Sequence, residues 1–210
     1  YINATFSFVR ERTFLPAYLF LFIVFAIPDL RVIQPVFFAC IFLLLALNRI
    51  FSSFEKKKVI SNSFDAGFFT GLAGLFFPGA IILAFLIPYS LYSLKNKISW
   101  REYVAAFIGL LLPFLYAFTY FFVINNVHDF VSLFTNVLIK NENPNIHSIP
   151  VLVYFGFLVL ITIFSSFFIL GQYDEKKISV RGVYKILFLY FSVSLFMFIL
   201  PSVSYELLVL

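Results

Sequence analysis

Charge is what this 210-residue sequence has least of. Only 12% of its residues are Asp, Glu, Lys or Arg, about half the share of an ordinary soluble domain. Hydrophobic residues make up 62%, and the mean hydropathy is +1.02. A soluble domain of this size leaves roughly a third of its unfolded surface in water, and this composition cannot cover such a surface with polar atoms. A water-soluble enzyme is therefore excluded, and so is a disordered chain. Cysteine is reduced to Cys40, so no disulfide, CxxC pair or thiolate metal site can form within the chain. With only 8 glycines it is not a glycine-rich pore. No Gly-rich phosphate loop, Ser–His pair or HExxH pattern occurs, and no cofactor is implied.

What is present is apolar and aromatic: 33 Phe and 12 Tyr, with the charges gathered into short clusters. The stretches 13–28, 32–48, 66–94, 103–127, 148–173 and 186–205 contain no Asp, Glu, Lys or Arg. A membrane-spanning helix needs about 20 apolar residues, so most of these stretches read as one crossing each. The stretch 66–94 is too long for one crossing and short for two, and FFPGA (76–80) lies at its middle. Basic residues decide between the two. Arg49 and Lys56–Lys58 precede the stretch, while Lys95, Lys97 and Arg101 follow it. Cytoplasmic loops carry the excess of Lys and Arg, and with both clusters inside, the stretch must cross twice. Pro-Gly is a turn signal, which predicts a helical hairpin with its tip near Pro78 on the outer side. Each arm would have about 14–16 residues, or roughly 21–24 Å. Lys176, Lys177, Arg181, Arg10 and Arg12 then also fall inside. The net charge of +5 is thus a footprint of topology, and no nucleic acid is expected as a partner.

The resulting expectation is an all-α polytopic bundle of about seven crossings, a single transmembrane domain over 1–210. Its N-terminal end is cytoplasmic, in a bacterial inner membrane. The start at Tyr1 without Met, and the apolar end YELLVL, read as those of a piece of a longer protein.

The largest connection, 125–149, carries an amphipathic helix over about 128–140. Phe130, Phe134, Val137 and Leu138 recur at helical spacing opposite Asp129, Ser132, Thr135 and Asn136. Such a helix lies in the outer interface, and its four apolar residues are candidates for contact with lipid or a partner. Gly67, Gly71 and Gly74 form a GxxxG-type stripe that lets two helices approach closely. Asp29 and Arg31, at the outer end of the first stretch, are the candidate catalytic pair. The carboxylate would serve as general base and the guanidinium as a phosphate clamp; turn chemistry at Pro28-Asp29 is the plainer reading. His128, Asp129 and His147 flank the outer helix, but their spacing matches no metal signature, so no metal is expected. The hydroxyls inside the spans, at Thr70, Thr119, Thr162, Ser165 and Ser166, are expected to bond back to their own helices.

Two segments carry a resemblance. RERTFLPAY (10–18) and FLLLALNRIFSSFEKKKVISNSFDAGFFTGLAGLFFPGAIILAFLIPYSLYSLK (42–95), leading to the W-R-E start at Trp100, are similar to a family of Bacteroidota inner-membrane proteins, domain of unknown function 6427. More loosely, the span, basic loop and short hairpin resemble C-type (GT-C) membrane glycosyltransferases and O-antigen polymerase-like proteins. The first resemblance implies a cell-envelope protein and assigns no catalytic residue. The second implies a GT-C-like arrangement of helices.

The function expected from all this is a non-catalytic structural or accessory subunit of an envelope assembly, surrounded by membrane lipids and other membrane subunits. One alternative is a lipid-linked sugar transferase or polymerase acting on a lipid-linked glycan at the outer face. The other is a transporter or flippase, which needs a polar cavity between helices. Against that last reading, the spans carry none of the ionisable groups that ion-coupled transport places at membrane depth.

Overall fold

The structure, a computed structural model, describes residues 34–53, 60–94, 99–128, 159–166 and 178–199, with residues 18, 21, 130–132, 135, 153, 156 and 157 besides. Among them all regular structure is helical. Helix α1 spans Pro35–Phe51, α2 Ile60–Phe76, α3 Leu86–Leu94, α4 Trp100–Val123 and α5 Ile178–Ile199, and a 3-10 helix, Pro78–Phe85, joins α2 to α3.

Helix α1 opens with Pro35 in its first turn, where a missing N–H costs nothing. It runs antiparallel to α2. Its start meets the end of α2 through the stacked rings of Phe38 and Phe76, centroids 5.5 Å apart. Its last turn meets the start of α2 through Arg49 and Asp65. Helix α4 runs parallel to α2, because Gly67 faces Ala106, Gly71 faces Leu110 and Gly74 faces Phe114 in order. Two parallel helices in sequence require a return between them, and the segment 77–94 supplies it. The return arm places Ala80 and Leu83 in one cluster with Ala73, Val36 and Ala39. Lower down, Ala84, Ile87 and Leu91 join Ile50, Ala66 and Ala106. The starts of α2 and α4 therefore lie at one end of the bundle, and the Phe77–Pro78 turn lies at the other.

The return arm departs from the expected short α-helical arm. Pro78 starts a 3-10 helix of 8 residues, and α3 adds 9 more with Pro88 in its first turn. A 3-10 helix rises about 2.0 Å per residue against 1.5 Å in an α-helix. The arm therefore reaches about 30 Å, where an α-helix of the same 17 residues would reach about 26 Å. Two prolines ten residues apart produce this. Pro88 has no N–H for an α-helical bond, and its ring opposes the carbonyl four residues back. The α-helix accordingly begins only at Leu86, where Pro88 is tolerated.

Helix α4, with 24 residues, is long and apolar enough to cross a membrane; at about 36 Å it exceeds the roughly 30 Å hydrocarbon core and accommodates a tilt. It ends in a Schellman motif. Asn125 adopts φ 58°, the Asn126 N–H donates to Phe121 O, and the Asn125 N–H donates to Phe122 O. Asn is one of the few side chains that take this left-handed position readily. Residues 127, 128 and 130–132 are helical again, folding Phe130 onto Phe118 and Phe121.

Small residues set the spacing throughout. Ala39, Ala46, Ala66, Ala73 and Ala80 are buried in the helix contacts, where small side chains let backbones approach closely. Helix α5 closes over α3 through Val183 and Ile186, which complete the lower cluster.

Candidate functional site

The antiparallel α1–α2 contact and the parallel α2–α4 contact bring three polar sequences to one end of the bundle. These are Asn48-Arg49 with Ser52-Ser53 at the close of α1, Ser61-Asn62-Ser63 with Asp65 at the opening of α2, and Arg101-Glu102 at the opening of α4. Arg49 Nε lies 3.4 Å from Asp65 Oδ2, with the two side chains 45% and 30% exposed. The Ser52 hydroxyl donates to Asn48 O at 2.8 Å and that of Ser53 to Arg49 O at 3.0 Å, which satisfies the last carbonyls of α1.

Behind this pair lie Asn62, Ser63 and Glu102, all buried. Asn62 Nδ2 and Ser63 Oγ find no hydrogen-bond partner among the described residues. Orphaned polar atoms cost about 1–3 kcal/mol each when buried, so this end of the bundle carries polar groups at an energetic cost. The α2–α4 register sets Ser63 and Glu102 at the same level, one helical turn below the Gly67–Ala106 crossing. A double-mutant cycle on Arg49→Gln and Asp65→Asn should return a coupling of about 0.2–1 kcal/mol, as for other half-exposed pairs. Detergent unfolding measures it; a coupling above about 2 kcal/mol would mean a pair far better shielded than its exposure implies.

Beside this polar end, an apolar cleft of about 450 Å³ opens between the return arm and α4. Ala84, Phe85 and Pro88 form one wall and Tyr103, Val104 and Phe107 the other, with Trp100 at the basic end. The cleft exists because α3 leans onto α5 rather than onto α4.

Elsewhere the internal hydroxyls are spent locally. Thr70 donates to Ala66 O at 2.8 Å, Thr119 to Leu115 O at 2.8 Å, Thr162 to Val159 O at 2.9 Å and Ser166 to Thr162 O at 2.7 Å. Ser90 donates to Leu86 O at 2.7 Å and shares a hydrogen bond with Tyr190, which ties α3 to α5.

The sequence-derived candidates fall differently. Gly67 and Gly71 lie on the face of α2 against the backbone of α4, and Gly74 meets the side chains of Ile81 and Phe114. Phe130 is half-buried against Phe118 and Phe121. Asp29, Arg31, Phe134, Val137 and Leu138 lie outside the described residues, as do Asp129 and His147. His128 is exposed, and no cluster of three His, Cys, Asp or Glu able to hold a metal forms among the described residues. Sequence reading missed Asn62, Ser63 and Glu102 as a group. The signal was the hairpin itself: if 66–94 doubles back, the segments on either side of it, S-N-S and R-E-Y, must meet.

No curated protein and no solved structure matches the chain. Its relatives are visible at the level of family alone, where one profile extends over residues 1–210, the two resembling segments and everything between and beyond them. The chain belongs to a family of unknown function, DUF6427.

Proposed function

We propose that this is a multi-pass protein of the bacterial inner membrane that serves as a non-catalytic structural or accessory subunit of an envelope assembly. Its hairpin 66–94 crosses twice, with the basic segments in the cytoplasm, for about seven crossings in all. The observation that carries the non-catalytic reading is the fate of the internal hydroxyls. Thr70, Ser90, Thr119, Thr162 and Ser166 each donate to a carbonyl of their own helix three or four residues back. Hydroxyls bonded in this way spend their donor on their own helix rather than on a substrate. The other buried polar residues among those described, Ser53, Asn62, Ser63 and Glu102, sit where α1 ends and α2 and α4 begin.

Genetic complementation tests the proposal. A strain lacking the gene, scored for detergent resistance of its envelope, is supplied with Asp29→Asn, Asp65→Asn or Glu102→Gln at wild-type abundance. For a subunit, each isosteric change should restore resistance to within about twofold of wild type, because removing one general acid or base costs 10²–10⁴-fold only where proton transfer is the task. Loss of rescue at normal abundance by any one of them makes that carboxylate a chemical group and ends the non-catalytic reading. Should Asp29 be the one, the outer-face sugar transferase replaces it.

A further inference from the structure

Helices α2 and α4 start together but do not end together. The offset of Gly67 against Ala106 and of Gly71 against Leu110 carries along the pair, setting Asp65 opposite Val104 and Phe76 opposite Leu115. Helix α2 ends at Phe76, whereas α4 runs on from Leu115 to Val123, about 12 Å further at 1.5 Å per residue. The half-exposed Asp65, paired with Arg49, fixes the inner edge of the hydrocarbon. A short carboxylate cannot snorkel as a long basic side chain does, and it is costly at membrane depth. From Asp65 to the turn at Phe77 the apolar length is about 18 Å. From Arg49 back to Gln34, the N-cap of α1, it is about 22 Å. Helix α4 covers about 32 Å between Val104 and Asn125, and it alone of the three matches a hydrocarbon core about 30 Å thick. The tip of α2 therefore stops about 12 Å short of the outer boundary. The return arm starts from that same tip and adds no height to it.

A helix too short for its bilayer is accommodated by snorkelling side chains, by cover from other protein, or by local thinning of the lipid. Snorkelling is closed to this hairpin, because residues 66–94 contain no Lys or Arg. Cover is missing too: Phe38 and Phe76, stacked at the tip, are 45% and 42% exposed. We propose that α1, α2 and the return arm thin the membrane from the outer side. Outer-leaflet phospholipid headgroups descend about 12 Å to meet the Phe77–Pro78 turn, while α4 keeps the ordinary thickness alongside. The cost of a charged group in a bilayer falls steeply toward its interfaces. The thinned patch is therefore where a lipid headgroup or a polar segment crosses most easily, a task suited to an accessory subunit of an envelope assembly. The proposal rests on the membrane reading given above.

Spin labels on single cysteines measure the depth, in a Cys40→Ser background of the full chain in proteoliposomes. The probe is nickel chelated to lipid headgroups, and power-saturation EPR follows its approach to each label. Phe76, Leu115 and Val123 are all exposed, so each accepts a label at the surface. In a bilayer of even thickness, Phe76→Cys and Leu115→Cys share a level and both read about 12 Å deeper than Val123→Cys. Thinning should instead bring Phe76→Cys to the depth of Val123→Cys, with Leu115→Cys still about 12 Å deeper. Equal depths at Phe76 and Leu115 overturn the proposal. If both are deep, the tip is submerged or covered by a second copy; if both lie at the boundary, α4 stands out of the membrane. A Phe76 label relaxed by free aqueous nickel but not by headgroup nickel also overturns it, because the tip then faces a water-filled gap in protein. Leu44→Cys, exposed on α1 two turns inward from Phe38, separates these results from failure of the membrane reading. It should be shielded from both forms of nickel; if free aqueous nickel reaches it as easily as Val123→Cys, the membrane reading itself has failed.

Discussion

Gly67→Ala should destabilise the fold by about 1–3 kcal/mol although it adds a single methyl group. The added Cβ would meet the carbonyl oxygen of Ala106 directly, with Ala106 C at 2.9 Å and Leu110 N at 3.0 Å. These are backbone atoms, so no rotamer change relieves the clash and the two helices must separate. Gly71→Ala meets Leu110 O at 2.6 Å and Pro113 Cγ at 3.1 Å. From the opposite side, Gly109→Ala meets Phe64 O and lies 3.0 Å from Phe68 N. The contact is therefore an interlock in which each helix inserts backbone into the other's glycine notch. Overpacking a tight interior typically costs about 1–3 kcal/mol and occasionally more, and in lipid the close approach of small residues is itself the source of association.

Two contrasts sharpen this expectation. Gly74→Ala meets only the side chains of Ile81 and Phe114, which can rotate, so it should cost less than about 1 kcal/mol. Gly156→Ala meets nothing within 4 Å and should be neutral or slightly stabilising through helix propensity. The double variant Gly67→Ala/Gly109→Ala should cost clearly less than the sum of its singles, because helices already separated by one methyl group have room for the second. Reversible unfolding in mixed micelles, followed by far-UV circular dichroism, measures all of these. A cost at Gly67 no greater than at Gly156 would show that α2 and α4 do not touch in this way.

The same pair of helices shows what could be read from the sequence and what could not. The stripe Gly67, Gly71, Gly74 announces a close approach because small residues at four-residue spacing have few other uses in an apolar helix. Its counterpart in α4 is a fainter small-xxx-small pair, Ala105 and Gly109, which the sequence reading did not single out, so the partner helix went unread. The turn at FFPGA was legible from charge: two basic clusters at one end of a bundle require a chain that comes back. The 3-10 return was not, because it depends on the distance between Pro78 and Pro88 measured against an arm that must be stretched. Asn62, Ser63 and Glu102 read as interfacial residues beside basic loops. Only the parallel apposition of α2 and α4 buries them, and that is a tertiary event with no local signature. The apolar cleft is further still from the sequence, since it results from α3 leaning toward α5 and leaves no mark on the hydrophobic pattern of either wall.

Cysteine labelling should place Pro78 on one side of the membrane and both basic segments on the other. In a Cys40→Ser background, a membrane-impermeant maleimide applied to intact cells with a permeable outer membrane should label Pro78→Cys. It should leave Lys57→Cys and Asn96→Cys unlabelled until the inner membrane is opened. The geometry supplies the reason. Helices α2 and α4 are parallel, so if α2 crosses the membrane, α4 starts from the same side and the arm between them recrosses. The arm can do so because it is about 30 Å long as a 3-10 helix followed by α3, close to the hydrocarbon thickness. Backbone polarity is also managed at the turn: the Phe77 N–H donates to Ala73 O, the Ala80 N–H donates to Phe77 O, and Pro78 has no N–H to satisfy. An arm without such bonding could not remain in lipid, where each unpaired backbone group costs several kcal/mol. A single crossing over 66–94 would instead bury Pro78 at the middle of the membrane and strand Asn96 with Lys95, Lys97 and Arg101 in the outer compartment, against the positive-inside bias. Labelling of Asn96→Cys in intact cells, with Pro78→Cys left unlabelled, would overturn the two-crossing hairpin and move Trp100 to the outer side.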